Sequence, residues 1–385
     1  MQETKIKLKS SKCCCSGSCE DSKENRQTDP VKDCCSRQLE KPSECDAPWI
    51  TGRLKTSAGW IPQVSTTLGK SDILGSWKAR WGIGRMDYTV NPGLYCVGMP
   101  DSKSPVLVSA NYKMSFDRLR SELKDINAWL LVLDTKGINV WCAAGKGTYG
   151  TEELVDRIGK TSLELVVSHR TVIAAQLGAP GIAAHEVQKR TGFKVVYGPA
   201  RAADLPQFLQ NGMKATAEMR KVKFTFMDRL VLTPMELVGS IKPSLILLGV
   251  LFLLNLTGIK PFGLIDFYGY LGAVVIGAVI TPLLLPWIPF SAFALKGWVL
   301  GVLWALSVSL LNGWPEALQY SWIRALAYLL ILPAVSAYEA MNFTGCSTYT
   351  SPSGVNREMK TAIPAMIISL FLGIVLILID SIFII

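Results

Sequence analysis

Residues 128–147 read AWLLVLDTKGINVWCAAGKG. Ala128–Asp134 is an apolar run of strand length closed by an aspartate, the pattern of a strand buried on both faces. Beyond it, Gly137–Gly150 (GINVWCAAGKGTYG) carries one cysteine, Cys142, after a short apolar run and before small residues, a lysine and glycines. Thr151–Ile158 (TEELVDRI) has a Thr cap and an acidic first turn, so a helix starts there. A cysteine between a strand and a helix start lies where backbone N–H groups and the helix dipole favour a thiolate. Lys146, four residues on, would add to that. A buried cysteine acting as a small hydrophobe is the alternative.

The alternation continues on both sides. Pro105–Ala110 (PVLVSA) is a candidate buried strand and Phe116–Ile126 an amphipathic helix. Leu163–Ser168 and Thr171–Leu177 are strand-like. Ala183–Thr191 is helical and stops at Gly192, and Lys194–Tyr197 is a strand ended by Gly198-Pro199. Alternating β and α at this spacing predicts an α/β, Rossmann-like domain with a mostly parallel sheet covered by helices. Such sheets bind ligands at the carboxyl ends of their strands.

The rest of the chain is a different material. The 385 residues are 49% apolar and 18% charged, with a net charge of +10. A mean hydropathy of +0.29 is too high for an ordinary soluble chain and too low for one wholly in a membrane. The apolar content excludes disorder of the whole chain, and the length excludes a disulfide-built secreted mini-protein. Residues 1–48 read as a flexible tail holding seven of the ten cysteines, with no apolar run after Met1 to make a secretory signal. Residues 49–104, with Trp49, Trp60, Trp77 and Trp81, show little periodicity and read as a connector and the start of the soluble domain. The α/β block covers 105–236, and 237–385 an all-α transmembrane domain. That domain holds about five spans of roughly 20 residues, the length a bilayer requires. They lie near 237–258, 264–285, 292–311, 322–341 and 363–385.

Lysines and arginines are dense before the first span (Lys214, Arg220, Lys221, Lys223, Arg229) and recur in the fourth connection (Arg357, Lys360). The positive-inside rule puts both on the cytoplasmic side of a multi-pass inner-membrane protein, with the C-terminus outside. Some of the basic excess therefore answers membrane lipid. No nucleic-acid recognition motif accompanies it, so nucleic acid is not an expected partner. Charged residues in the spans (Lys242, Asp266, Lys296, Glu339, Asp380) sit near their ends and are expected to snorkel outward. A transporter usually keeps such groups at mid-membrane.

Three catalytic readings of the Cys142 segment fail. A Walker loop needs glycine five positions before its Gly-Lys and Ser/Thr after it, and those positions hold Val140 and Gly147. A cysteine nucleophile needs a partner histidine, and neither His169 nor His185 sits in a catalytic signature. The Asp-x-His-x-x-Gly pattern of histidine-ligated cobalamin proteins is absent around both.

Asn139–Gly147 (NVWCAAGKG) resembles the signature of the mercury-methylating corrinoid proteins, the HgcA family. LGAPGIAAHEVQKRTGF at 177–193, GPARAADLP at 198–206, RLVLTPMEL at 229–237 and MNFTGCSTYTSPSGVNREM at 341–359 resemble the same family. The likeness covers roughly residues 80–385, and 1–48 lie outside it. A more distant likeness is to the large subunit of the corrinoid iron–sulfur protein of acetyl-CoA synthesis. That protein is soluble and carries its own four-cysteine cluster motif, whereas Cys13, Cys14, Cys15 and Cys19 form a C-C-C-x₃-C group unlike cluster-ligand spacing.

The resemblance implies a corrinoid-binding domain and a corrinoid-dependent methyltransferase that moves a methyl group from methyl-Co(III) corrinoid to Hg(II). Cys142 would be the axial ligand of a cobalamin-type cobalt. Asn139, Val140, Trp141, Ala143, Ala144, Gly145, Lys146 and Gly147 would line the corrin, the small residues letting backbone approach it. A thiolate donates charge to the metal and eases departure of methyl with its electrons, as an electrophilic acceptor requires. Implied partners are a ferredoxin-like protein with two [4Fe–4S] clusters as electron donor, and a methyl donor protein or methyltetrahydrofolate methyltransferase. Cys13, Cys14, Cys15, Cys19 and Cys346 are candidate mercury thiols, since soft thiolates suit Hg(II). Two alternatives remain: a membrane-anchored corrinoid methyl carrier of one-carbon or acetyl-CoA metabolism, and a thiol-rich heavy-metal transporter.

Overall fold

The structure, a computed structural model, describes residues 39–40, 47–256, 262–315, 321–347 and 349–383. Its strands are β1 (Leu39–Glu40), β2 (Ile50–Thr56), β3 (Gly59–Val64), β4 (Gly93–Val97), β5 (Val106–Ala110), β6 (Ala128–Leu133), β7 (Thr171–Ala174) and β8 (Lys194–Tyr197). They form one mixed, mostly parallel sheet in the order β1-β2-β3-β4-β6-β5-β7-β8. β5 pairs in parallel with both β6 and β7, and β7 with β8. β4 runs antiparallel to β6.

Every residue of β5 and β6 is buried. Alternate residues feed two cores: Val106, Val108, Trp129, Leu131 and Leu133 on one face, Leu107, Leu130 and Val132 on the other. A strand covered on both faces needs apolar side chains in both directions, hence the unbroken runs. The helices of this half are α1 (Lys70–Arg80), α2 (Lys113–Ser121), α3 (Val140–Lys146), α4 (Thr151–Lys160), α5 (Leu163–Val166), α6 (Ala184–Thr191) and α7 (Leu205–Gln210). Ala143, Leu154, Ile158, Leu163 and Val187 bring α3–α6 onto the first face. Phe116 and Phe208 bring α2 and α7 onto the second.

Several local expectations shift. Leu163–Ser168 is no strand: Leu163 and Val166 are buried while Leu165 is 57% exposed, the spacing of one helical turn. α2 starts three residues before the expected Phe116 and ends at Ser121, and Asp125 then turns the chain with φ +62°. Thr151 is inside α4 rather than its cap, because its hydroxyl accepts the Ala183 N–H at 2.8 Å. The stretch 49–104 supplies β2, β3, α1 and β4, with Gly59 (φ +108°) turning the β2–β3 hairpin.

The apolar half holds α8 (Phe226–Leu230), α9 (Thr233–Leu256), α10 (Leu264–Val275), α11 (Thr281–Leu284), α12 (Phe293–Leu311), α13 (Trp322–Asn342) and α14 (Pro352–Phe383). A π-helical turn, Ile276–Ile280, joins α10 to α11. Among the described residues, five helical stretches are long and apolar enough to cross a bilayer, 226–256, 264–284, 293–311, 322–345 and 353–381, close to the expected windows. α13 is the centre. A Cβ on Gly277 or Gly297 would meet Ser336 O at 2.5 Å, and one on Gly301 would meet Pro333 Cα at 2.6 Å. Small residues thus let neighbouring backbones touch α13.

Lys242 is exposed, as snorkelling requires, but the other four are not. Asp266, Lys296, Glu339 and Asp380 are each less than a tenth exposed. Tyr328 donates to Asp266 at 2.6 Å and Ser240 to Glu339 at 2.6 Å. Lys296 donates to the Leu285 carbonyl. Arg324 Nε lies 3.0 Å from Asp380, an ion pair by distance without hydrogen-bond alignment. Near the helix ends, an inward partner replaces water. At the end beside the α/β half, Phe224 packs on Phe343 and Tyr349, and Arg229 bonds Leu283 O at 3.1 Å. The second and fourth connections therefore lie on the same side as the sheet.

Candidate functional site

β6 lies on one side of β5, and β7 and β8 on the other, so successive crossovers leave in opposite directions at β5/β7. Loops diverge at such a point and leave a crevice at the strand carboxyl ends. A cavity of about 1170 Å³ opens there. Val108 and Ser109 of β5, Ile173 and Ala174 of β7, and Gly198-Pro199 after β8 form its roof. Asn139, Val140 and Trp141 at the start of α3 form one side, and α1 another. Met227, Leu230–Met235 and Leu237 close it from the apolar half.

α3 is built to show one face. Asn139 caps it, its side chain accepting the Cys142 N–H at 2.9 Å. Gly147 ends it with φ +79°, the left-handed stop that glycine adopts freely. Ala143 and Ala144 are buried and turn inward, where a Cβ on Gly181 would come within 3.1 Å of Ala144 Cα. Their small size serves this close contact with 176–181 rather than the open face. Trp141, Cys142, Gly145, Lys146 and Gly147 are exposed. Beside the Cys142 thiol, at i+3, Gly145 has nothing within 4 Å of where a Cβ would stand. Asn139, Val140 and Trp141 are in the cavity wall, while Cys142 adjoins it one residue on.

The other expected thiols fall elsewhere. Cys13, Cys14, Cys15 and Cys19 lie outside the described residues. Cys346 ends a 3₁₀ turn, Phe343–Cys346, at the sheet-side end of the bundle. Cys96 in β4 is fully buried, and burial pushes its thiol up to about 12, an inert structural group.

Sequence reasoning missed a buried charge network that fixes α1. Lys113 Nζ lies 2.7 Å from both Asp72 and Asp117. Arg120, wholly buried, binds Asp72 at 2.7 Å and Asp117 at 2.8 Å. Burial alone would push the Asp72 carboxyl up. Hydrogen bonds from Lys113, the Gly69 N–H and Arg120 outweigh it and hold Asp72 below its ordinary value. The network clamps α1 to α2 beside the cavity. Its only signal in the sequence was the i, i+3/i+4 spacing of Lys113, Asp117 and Arg120, and no local pattern ties these to Asp72.

A family model described as CO dehydrogenase/acetyl-CoA synthase delta subunit matches residues 83–209, from just before β4 to α7. The chain is 36% identical over 126 residues to the acetyl-CoA decarbonylase/synthase complex subunit gamma of Methanopyrus kandleri, covering 31% of this chain and 26% of that protein. It is 33% identical over 127 residues to the same subunit of Methanothermobacter thermautotrophicus, covering 32% and 27%. For Methanocaldococcus jannaschii the identity is 32% over 129 residues, covering 33% and 26%. The chain thus spans about a quarter of the length of the curated relatives it matches. The family match includes β5–β8 and α3 but not α1 or the five apolar helices.

Proposed function

We propose that the chain is a membrane-anchored corrinoid protein that carries a methyl group, with Cys142 as the thiolate ligand to cobalt. The observation that carries this is the pairing of a cavity of about 1170 Å³ at the β5/β7 crevice with a short capped helix that holds a free thiol beside it. That volume exceeds the usual range of small-molecule sites, roughly 300–1,000 Å³, and suits a macrocycle. The residues fit: the open face of α3 places Cys142 next to unfilled space at Gly145. A bound corrinoid supplies a cobalt centre that accepts a methyl group and passes it on. Cys142 Sγ would hold that metal and donate charge to it. Asn139 holds the turn bearing the thiol, Trp141 walls the site from water, and Ala143 and Ala144 lock α3 against 176–181. Similarity to acetyl-CoA decarbonylase/synthase subunits supports one-carbon chemistry, with other subunits, a methyl donor and an electron-donating ferredoxin-like protein as partners. The α/β half would face the cytoplasm.

The second reading makes Hg(II) the methyl acceptor. It is favoured by the nine-residue likeness at Asn139–Gly147 and by the five apolar helices, which lie beyond the matched region. One experiment separates the readings. Full-length protein is loaded with cobalamin, methylated, and offered either Hg(II) or an acetyl-CoA-forming partner complex. Methylmercury formation lost in Cys142→Ala and Cys142→Thr supports the second reading, and transfer only to the partner complex supports the first alone. An unchanged visible spectrum in both variants would refute the ligand role of Cys142. Cys142→His should keep the metal coordinated but slow transfer, because imidazole donates less charge than thiolate.

A further inference from the structure

α1 is turned inside out. Asp72 and Ala79 face the protein, while Ile73, Trp77 and Trp81 are 49%, 60% and 41% exposed. Ile73, Trp77, Arg80 and Trp81 fall at i, i+4, i+7 and i+8, one helical stripe, and all four line the cavity. Core packing would bury that stripe. Here the buried network of Asp72 with Lys113 and Arg120 holds it outward. Arg85, just past the helix, joins the same wall with its guanidinium 5.9 Å from the Tyr112 ring.

Neither Arg80 nor Arg85 is paired with a carboxylate among the described residues. Arg80 donates only to the Val231 carbonyl, at 3.3 Å. Burial disfavours its charged form, while Tyr112 favours it and the like charge of Arg85 opposes it to a smaller extent. Two guanidinium groups facing one cavity without counter-ions await an anion, for which arginine's planar fork is suited. The neighbouring indoles offer flat faces on which an aromatic base stacks.

We propose that α1 and Arg85 form a second subsite of the cavity that holds an aromatic base joined to a phosphodiester, the chemistry of the nucleotide tail of a complete corrinoid. Trp77 and Trp81 stack the base, and Arg80 and Arg85 take the phosphate. With Cys142 supplying the metal's ligand, the tail's base is free to be held apart from the metal, and α1 is where it goes. α1 and Trp81 lie outside the stretch that the family model matches, 83–209, whereas Arg85 lies inside it, so the α1 side of the subsite is an addition to the common sheet. The inference rests on the corrinoid reading above.

The test is a binding titration, read by visible absorbance and indole fluorescence, of full-length protein in phosphatidylcholine nanodiscs. Cobalamin is compared with cobinamide, which lacks the base and phosphodiester. Wild type should bind cobalamin at least about tenfold more tightly, the worth of charge-assisted bonds. Arg80→Gln combined with Arg85→Gln should erase that preference while changing cobinamide affinity by less than about threefold. Should the double variant misfold, Arg85→Gln alone, which breaks no hydrogen bond, should lose part of the preference and Arg85→Lys restore some of it. Equal affinity of wild type for both ligands, or equal losses for both in the variants, overturns the subsite. Weakening of cobalamin binding by added phosphatidylglycerol in wild type but not in the variants assigns the arginines to lipid phosphate and also overturns it. Failure of wild type to bind either ligand refutes instead the corrinoid reading on which the subsite rests.

Discussion

The two halves of the molecule bury charge in opposite ways. In the α/β half, Asp72, Asp117, Lys113 and Arg120 form a balanced network of two acids and two bases at 2.7–2.8 Å. In the helical half, Glu339 leans on a serine, Lys296 on a carbonyl, and Arg324 is shared between Asp380 at 3.0 Å and Asp266 at 3.9 Å. The first network orients an element of the cavity wall. The second set pins helices to α13. Charge in the α/β half is paired acid to base at short range, so removing one member strands its partners. In the bundle Glu339 and Lys296 lean on neutral partners, and Arg324 pairs with its carboxylates at longer range, 3.0 and 3.9 Å.

The sharpest way to break this contrast is to remove one cation from each half. Arg120→Met should destabilise the α/β half by about 3–5 kcal/mol, because two carboxylates remain buried with one partner fewer. Denaturation followed by tryptophan fluorescence checks this. Arg324→Met should cost clearly less, read as a smaller drop in melting temperature in detergent, and equal losses would erase the distinction. Gly181→Ala comes next, since its Cβ would meet Tyr149 O at 2.1 Å. Overpacking of this kind costs about 1–3 kcal/mol, and the loss should appear in the melting curve of the α/β half. Asn139→Ala removes a helix cap worth about 1 kcal/mol, visible as faster hydrogen exchange across α3. Cys142→Ala should leave stability within about 0.5 kcal/mol, as an exposed side chain without structural partners, while altering the spectrum of the cobalamin-loaded protein.

Acid sharpens the comparison from the α/β side. The folded Asp72 carboxyl titrates below its ordinary value of 3.8. On acidification the unfolded chain binds that proton first, so the folded state loses this contribution as pH falls through the folded value. Stability measured by denaturant should be level in this respect from about pH 6 down to about pH 5 and fall toward about pH 3. Lys113→Met should flatten that slope.

Much of the sheet was legible because β5 and β6 are continuous apolar runs, which only burial on both faces explains. The five apolar helices were legible for the same reason on a larger scale. β2, β3 and α1 were not. The hairpin's buried residues, Leu54, Ile61 and Val64, are too sparse to set a period, and α1 points its bulky residues the wrong way for a core helix. Leu163–Val166 misled because four residues of mixed polarity fit a strand or one helical turn equally well. The cysteine segment is conspicuous in the sequence, but that Asn139 caps its helix shows only in the hydrogen bond to the Cys142 N–H. The inward turn of Ala143 and Ala144 was not foreseen, since small residues suit a close ligand and a close backbone alike.

Composition and periodicity alone determined that a parallel α/β unit precedes a set of apolar helices, because both depend on local burial patterns written in consecutive residues. They also isolated Cys142 as the thiol at a strand-to-helix turn. Only the tertiary structure decided that α1 stands opposite α3 across one cavity, that Asp266, Glu339 and Asp380 look inward, and that Arg80 and Arg85 face open space without a counter-charge. Those facts depend on pairs far apart in the chain, such as Asp72 with Arg120 and Arg324 with Asp380, whose distances no local pattern encodes.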